Sequence, residues 1–256
     1  MIIIKTPEEI AIMKECGKLL AGILNKVANA AKPGISTLEL DSLAEKLIRD
    51  AGGEPAFLNY AVEGDEDNPY PATLCTSVNN EVVHGIPSKN KILKEGDIIG
   101  LDIGMFYKGL CTDTAVTVGV GEISEDKQKL LDVTAKALRK GIAKVKSGAK
   151  VGDIGSAIQT YVESEGFSVV KQLVGHGVGK EIHEDPRIPN YGKPKTGIEL
   201  QEGMTIAIEP MVNVGEELVQ TDDDQWTIST VDRSLSAHFE HTVVVTKNGC
   251  TIITEE

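Results

Sequence analysis

The chain has 256 residues, of which 41% are hydrophobic and 25% charged, an ordinary composition for a globular protein. Its formal net charge of −13 points away from nucleic acid or an anionic membrane as the main partner. The N-terminal apolar run is too short for a signal peptide, and no stretch approaches the roughly 18 apolar residues of a membrane span. Cys16, Cys75, Cys111 and Cys250 form no C-x-x-C pair, so a cytoplasmic protein with reduced thiols is expected.

Thr6-Pro7-Glu8-Glu9 predicts a helix start, because Thr6 and Glu9 can cap each other's backbone and proline suits the first helical position. Apolar residues at Ile10, Met13, Leu20, Leu24 and Val27 follow with helical period until Pro33-Gly34. Ser36 and Glu39 repeat the capping box before a second helix that runs to Gly52-Gly53. Residues 62–68, V-E-G-D-E-D-N, read as an acidic loop insertion. Strands are expected at residues 73–78, 98–104 and 110–118. Helices follow from 125 to about 146 and from about 153 to 165, then strands at 204–208 and 242–246. Residues 222–224 read as an exposed turn. Helix pairs precede strands in both halves, about 1–120 and 121–256. That is an α+β pattern, and no linker divides the single domain.

An internal echo carries the chemistry. Residues 95–102 read E-G-D-I-I-G-L-D and residues 202–209 read E-G-M-T-I-A-I-E, each closing on a carboxylate. Asp113 and Glu240 then each open an apolar β run. Four acids that converge from strands repel one another, and buried charge needs a partner, so a metal centre is indicated. A hairpin turning at Tyr107-Lys108 would set Asp102 opposite Asp113. The other reading makes one of these acids a solvent-facing strand residue.

His176, in V-G-H-G-V-G, offers a neutral imidazole between glycines, either as a ligand or as a hydrogen-bonding histidine. His84 and His183 each precede tight-turn residues, where functional side chains are often displayed. His238 and His241 flank Glu240, and His241, on the opposite strand face, reads as structural. Four carboxylates and one imidazole are ligands enough for two divalent ions, with Mn, Fe, Co and Zn all compatible. Two such ions about 3.5–4 Å apart suit hydrolysis at a carbonyl.

In this order, Asp102, Asp113, His176, Glu209 and Glu240 resemble the five-ligand signature of the pita-bread metallopeptidases. C-T-S-V-N-N-E-V-V-H-G-I-P, G-H-G-V-G-K-E-I-H-E-D-P and D-R-S-L-S-A-H-F-E-H-T are similar to the type I methionine aminopeptidases, and the similarity spans about residues 6–246. The resemblance implies two pseudo-symmetric halves around a mostly antiparallel curved sheet with helices on its outer face. It also implies removal of initiator methionine from nascent proteins by dimetal-activated hydroxide attack on the first peptide bond.

By the same resemblance Asp102 chelates one metal, Asp113 and Glu240 bridge both, and His176 with Glu209 completes the other. Glu209 also takes up or shuttles the proton, His183 contacts the scissile carbonyl, and His84 bonds the neighbouring peptide. Tyr60, Tyr70, Cys75 and Trp226 match positions that line the methionine pocket. Asn79 and Ser236 match positions that hold a monovalent cation through backbone oxygens. The implied partners are N-terminal peptides of nascent chains at the ribosome, met by a monomer that touches neither nucleic acid nor membrane.

Ile182, Phe57 and the 62–68 insertion depart from the family pattern and bear on pocket shape. Proline-directed aminopeptidases of the same fold carry an extra N-terminal domain, for which the sequence leaves no room. A non-catalytic peptide-binding paralogue would lose ligands, and here all five are retained.

Overall fold

Reciprocal caps set the first two helices. Thr6 Oγ1 accepts from Glu9 N at 3.2 Å while Thr6 N donates to Glu9 Oε2 at 2.8 Å, and Ser36 and Glu39 repeat the arrangement at 3.3 and 2.9 Å. These caps open α1 (Pro7–Ala30) and α2 (Thr37–Asp50). Five strands follow: β1 (Glu54–Pro55), β2 (Leu74–Val78), β3 (Glu81–Val83), β4 (Ile98–Tyr107) and β5 (Leu110–Gly119). The second helix pair is α3 (Glu125–Ile142) and α4 (Val151–Ser164). Next come β6 (Ser168–Val169), β7 (Gly175–Gly177), β8 (Glu184–Ile188), β9 (Thr205–Ile208) and β10 (Met211–Asn213). The last strands are β11 (Val219–Thr221), β12 (Ile228–Thr230), β13 (Ser236–His238), β14 (Glu240–Val245) and β15 (Cys250–Ile252). This computed structural model describes residues 2–62 and 64–255, so Glu63 of the acidic insertion lies outside the described residues. Among them no helix is long and apolar enough to cross a membrane, and the four cysteines are free.

The third helix stops a turn before its expected end at 146. Ser147 N donates to Thr246 O at 3.1 Å, and this pairing with the residue just past β14 takes the chain out of the helix. Tertiary contact here overrides a sequence that favours continuing.

Nine strands form one antiparallel sheet in the order β1-β4-β5-β14-β9-β7-β8, with β2 beside β4 and β15 beside β14. Alternate residues face alternate sides. Ile99, Leu101 and Ile103 of β4 join Leu20, Leu24 and Ile48 in a core under α1 and α2. Ile206, Ile208, Val243 and Val245 join Leu138, Ile154 and Ile158 in a second core under α3 and α4. Each such side chain contributes about 1.5–3 kcal/mol on burial. The helices therefore hold the sheet's outer face, and Asp102, Glu209 and Glu240 fall on the other one. At the seam, α1 presses against the backbone just past β15. A Cβ on Gly17 would stand 2.1 Å from Ile253 O.

The β4–β5 hairpin turns at Lys108-Gly109, one residue later than expected. Tyr107 pairs with Leu110, and φ is 51° at Lys108 and 78° at Gly109. A two-residue type I′ loop requires both positive values, and glycine supplies the second without strain. The register moves by two residues, so Asp102 opposes Ala115 and Asp113 opposes Gly104. The expected direct opposition of the two acids is thereby corrected to a diagonal one. An even shift keeps both on the same face.

Candidate active site

Strand pairing lays out the site. Cys75, Asp102, Ala115 and Glu240 stand in one row across β2, β4, β5 and β14, with Asp113 two residues from Ala115 on the same face. β9 pairs Ile208 with His241, so the next residue, Glu209, comes level with Glu240. Threonines fix the backbone between these acids. Thr242 Oγ1 donates to Asp113 O at 2.7 Å, and Thr114 Oγ1 donates to Glu240 O at 2.9 Å.

His176 is delivered by β7, whose glycines allow the strand to be pressed between its neighbours. A Cβ on Gly175 would lie 2.4 Å from Ala207 O, and one on Gly177 would lie 2.2 Å from Asp185 O. The His176 Nδ1 donates to Gly177 O at 2.9 Å, which turns Nε2 toward the acids. That nitrogen is 3.4 Å from Glu209 Oε1 and 4.0 Å from Asp113 Oδ2. Single ligand atoms of Asp113, His176 and Glu240 all lie within 4.8 Å of one another.

Every residue singled out for chemistry or substrate contact lines one cavity of about 630 Å³: Asp102, Asp113, His176, Glu209, Glu240, His84, His183, Tyr60, Tyr70, Cys75 and Trp226. His183 Nδ1 meets the Tyr60 hydroxyl at 2.8 Å, and its ring stands 4.4 Å from that of His176. Tyr70 and Trp226 pack edge to face with centroids 5.2 Å apart. Val62 of the acidic insertion lines the cavity, and Asn68 O accepts from Trp226 Nε1 at 3.2 Å, so the insertion forms part of the wall. Phe57 lines the same space. Asn79 and Ser236 meet away from this cavity, Ser236 N donating to Asn79 O at 2.9 Å. His241 turns to the other side of the strand and bonds Thr254 Oγ1 at 3.0 Å.

Sequence reasoning left His238 without a role. It is buried, and its Nε2 lies 3.4 Å from Glu209 Oε2 without a hydrogen bond. The signal available was its spacing of two from Glu240. In the fold, His238 pairs with Met211, itself two residues past Glu209.

Burial and mutual repulsion dominate the electrostatics. Asp102 and Glu240 are held well above the usual carboxylate range, by burial first and then by Asp113 and Glu209. Burial likewise pushes Asp113 up to about 6, with Glu209 adding to the rise and His176 opposing it. Burial depresses His84 to about 4, which keeps that imidazole neutral near neutral pH.

These residues fit divalent ions. Asp102 Oδ1 and Glu240 Oε1 are buried without a hydrogen bond, and Nε2 of His176 faces the carboxylates of Glu209 and Asp113. A cation among them would satisfy all of these at once.

Residues 11–247 match the family model of metallopeptidase family M24. The chain belongs to this family. As an M24 metallopeptidase it depends on divalent metal, for which Asp113, His176 and Glu240 form a candidate cluster. It is 49% identical over 254 residues to methionine aminopeptidase 1 of Bacillus subtilis, which covers 99% of both chains. The structure of methionine aminopeptidase from Thermotoga maritima matches at a TM-score of 0.95 and 47% identity over 100% of both chains. The Xaa-Pro dipeptidase from Bacillus anthracis shares the fold at 23% identity and a TM-score of 0.79, covering 99% of this chain and 62% of that one. The curled antiparallel sheet with helices on its outer face is the pita-bread fold of M24.

Proposed function

We propose that this chain is a methionine aminopeptidase that removes the initiator methionine from the N-termini of nascent proteins, acting as a cytoplasmic monomer on chains at the ribosome. One observation carries this reading. The row of buried acids ends at Cys75, beside Asp102, and the same cavity continues from there along Tyr70, Tyr60, Trp226 and Phe57. An α-amine placed at the Asp102 end of the row puts the first side chain against that apolar wall.

Asp102 would hold one of two ions (Co, Mn, Fe or Zn), Asp113 and Glu240 would bridge them, and His176 with Glu209 would hold the second. A monovalent cation beside Asn79 and Ser236 would support the loops behind. Bound divalent ions supply Lewis acidity, which lowers the pKa of water and polarises a carbonyl. Glu209, between His176 and His238, takes up and passes on the proton released in hydrolysis. With the Tyr60 hydroxyl, 2.8 Å away, donating to Nδ1, His183 would carry its proton on Nε2 and offer it to the scissile carbonyl oxygen. His84, neutral near neutral pH, is available to the peptide group beyond the cleavage point. Residues 1–120 thus supply two acids and residues 121–256 the remaining ligands of one catalytic domain.

The test is hydrolysis of Met-Ala-Ser and of a matched Xaa-Pro peptide by metal-stripped protein, with Mn, Co, Fe or Zn added back. Metal-dependent methionine release with the Xaa-Pro peptide intact is the expected result. Cleavage of the Xaa-Pro peptide alone would assign the chain to the proline-directed branch. No cleavage with any metal would leave a peptide-binding paralogue.

A further inference from the structure

The net charge of −13 hides an uneven distribution. Residues 136–150, K-A-L-R-K-G-I-A-K-V-K-S-G-A-K, hold six cations and no acid. They form the end of α3 and the loop to α4. Folding brings Lys195 to them and leaves a cleft of about 1360 Å³ against α4, lined by Lys140, Lys144, Lys146, Lys150 and Lys195.

The one acid of this lining, Asp153, is already engaged. It accepts from Lys150 N and Lys195 N, each at 2.8 Å, and these backbone bonds hold its carboxyl below the usual range. Lys150 pairs with Glu199 at 2.9 Å, and Lys140 rests 4.9 Å from the centroid of Tyr161. Lys144, Lys146 and Lys195 are exposed and form no ion pair among the described residues. Charges more than about 8 Å apart are largely screened at physiological ionic strength, so acids on the other faces do not cancel this field.

We propose that this cleft docks the phosphate backbone of folded, double-stranded RNA. Lysine ammonium groups contact phosphate as point charges, and the Ser156 and Thr160 hydroxyls of α4 line the same cleft, ready for phosphate or 2′-hydroxyl oxygens. Unpaired bases would need an aromatic platform. Tyr161, the single ring of the lining, is already covered by Lys136 at 5.2 Å and Lys140 at 4.9 Å. The apolar part of the lining is alanine and proline, without a pocket to anchor a peptide side chain. Because α3 and α4 cover the outer face of the sheet and the acids occupy the inner one, RNA docked there leaves the catalytic cavity accessible.

The experiment is fluorescence anisotropy of a labelled RNA hairpin with metal-loaded protein across a salt series. With Lys140, Lys144, Lys146 and Lys195 as phosphate contacts, log K should fall with log salt at a slope of about −3 to −4. The variant K140Q/K144Q/K146Q/K195Q should bind at least about tenfold more weakly at low salt with a flattened slope. Its circular dichroism melt and its release of methionine from Met-Ala-Ser should match the parent's. Wild-type binding by this variant, or no binding by the parent at low salt, would overturn the proposal. So would equal competition by duplex DNA, polyglutamate or anionic phospholipid vesicles, which would mark a general polyanion patch.

Discussion

Replacing Asp113 by asparagine removes one charge from the buried acids and can be followed quantitatively. In the folded protein this carboxyl is pushed up to about 6 from its ordinary 3.8. A difference of about two pKa units corresponds to about 3 kcal/mol. Below the ordinary value both folded and unfolded chains hold the proton, and no penalty exists. As pH rises from there to about 6, the unfolded chain gives up its proton before the folded chain does, so stability falls. Above that window the whole penalty is in place. Asparagine escapes it, and its Oδ1 can keep the bond that Asp113 Oδ1 accepts from Thr114 N at 3.0 Å. The metal-free D113N protein should therefore exceed the metal-free parent by up to about 3 kcal/mol near neutral pH, roughly 6–12 °C in Tm, and by almost nothing near pH 4. Divalent metal should then stabilise the parent strongly and the variant little, and peptidase activity should be lost. Urea denaturation of chelator-stripped proteins at the two pH values reads the effect directly. A variant no more stable than the parent at neutral pH would show that the protein already neutralises this charge, and the physical case for a cation among the acids would fail.

Three further outcomes are expected. His183→Ala should lower turnover on the order of a hundredfold while metal content, measured by atomic emission, stays nearly unchanged; loss of metal would make His183 a ligand instead. His238→Ala should depress kcat more than it raises KM by leaving Glu209 Oε2 without its neighbour 3.4 Å away, and His238→Gln, which returns a polar group beside that oxygen, should recover most of the loss. A glutamine variant as poor as alanine would reduce His238 to packing. Gly17→Ala should destabilise the fold by about 3 kcal/mol, since its Cβ would meet Ile253 O at 2.1 Å; an unchanged urea midpoint would mean that α1 can retreat at no cost.

What was legible in the sequence follows from the range of the forces involved. The caps at Thr6 and Ser36 are local, and the helices begin where their hydroxyls indicate. The acids inside β4 and just after β9 could be seen because each interrupts a long apolar run. The hairpin register could not be counted correctly, because it depends on whether Lys108 accepts a positive φ beside Gly109. Strand β7 was unreadable, since G-H-G lacks β propensity and is extended only because β8 and β9 hold it on either side. His238 was missed for a similar reason. Its place beside Glu209 comes from the pairing of β13 with β10, a contact that no local pattern announces.

The row Cys75–Asp102–Ala115–Glu240 has a consequence for capacity. Two strand spacings, about 9.5 Å, separate the backbones of Asp102 and Glu240, and between them stands only the methyl group of Ala115. That interval is the space a cation held by the acids would need. A valine or leucine at 115 would leave every carboxylate and imidazole where it is and fill that space with hydrocarbon. How much the centre can hold is thus set by the smallest side chain in the row, a residue with no chemistry of its own.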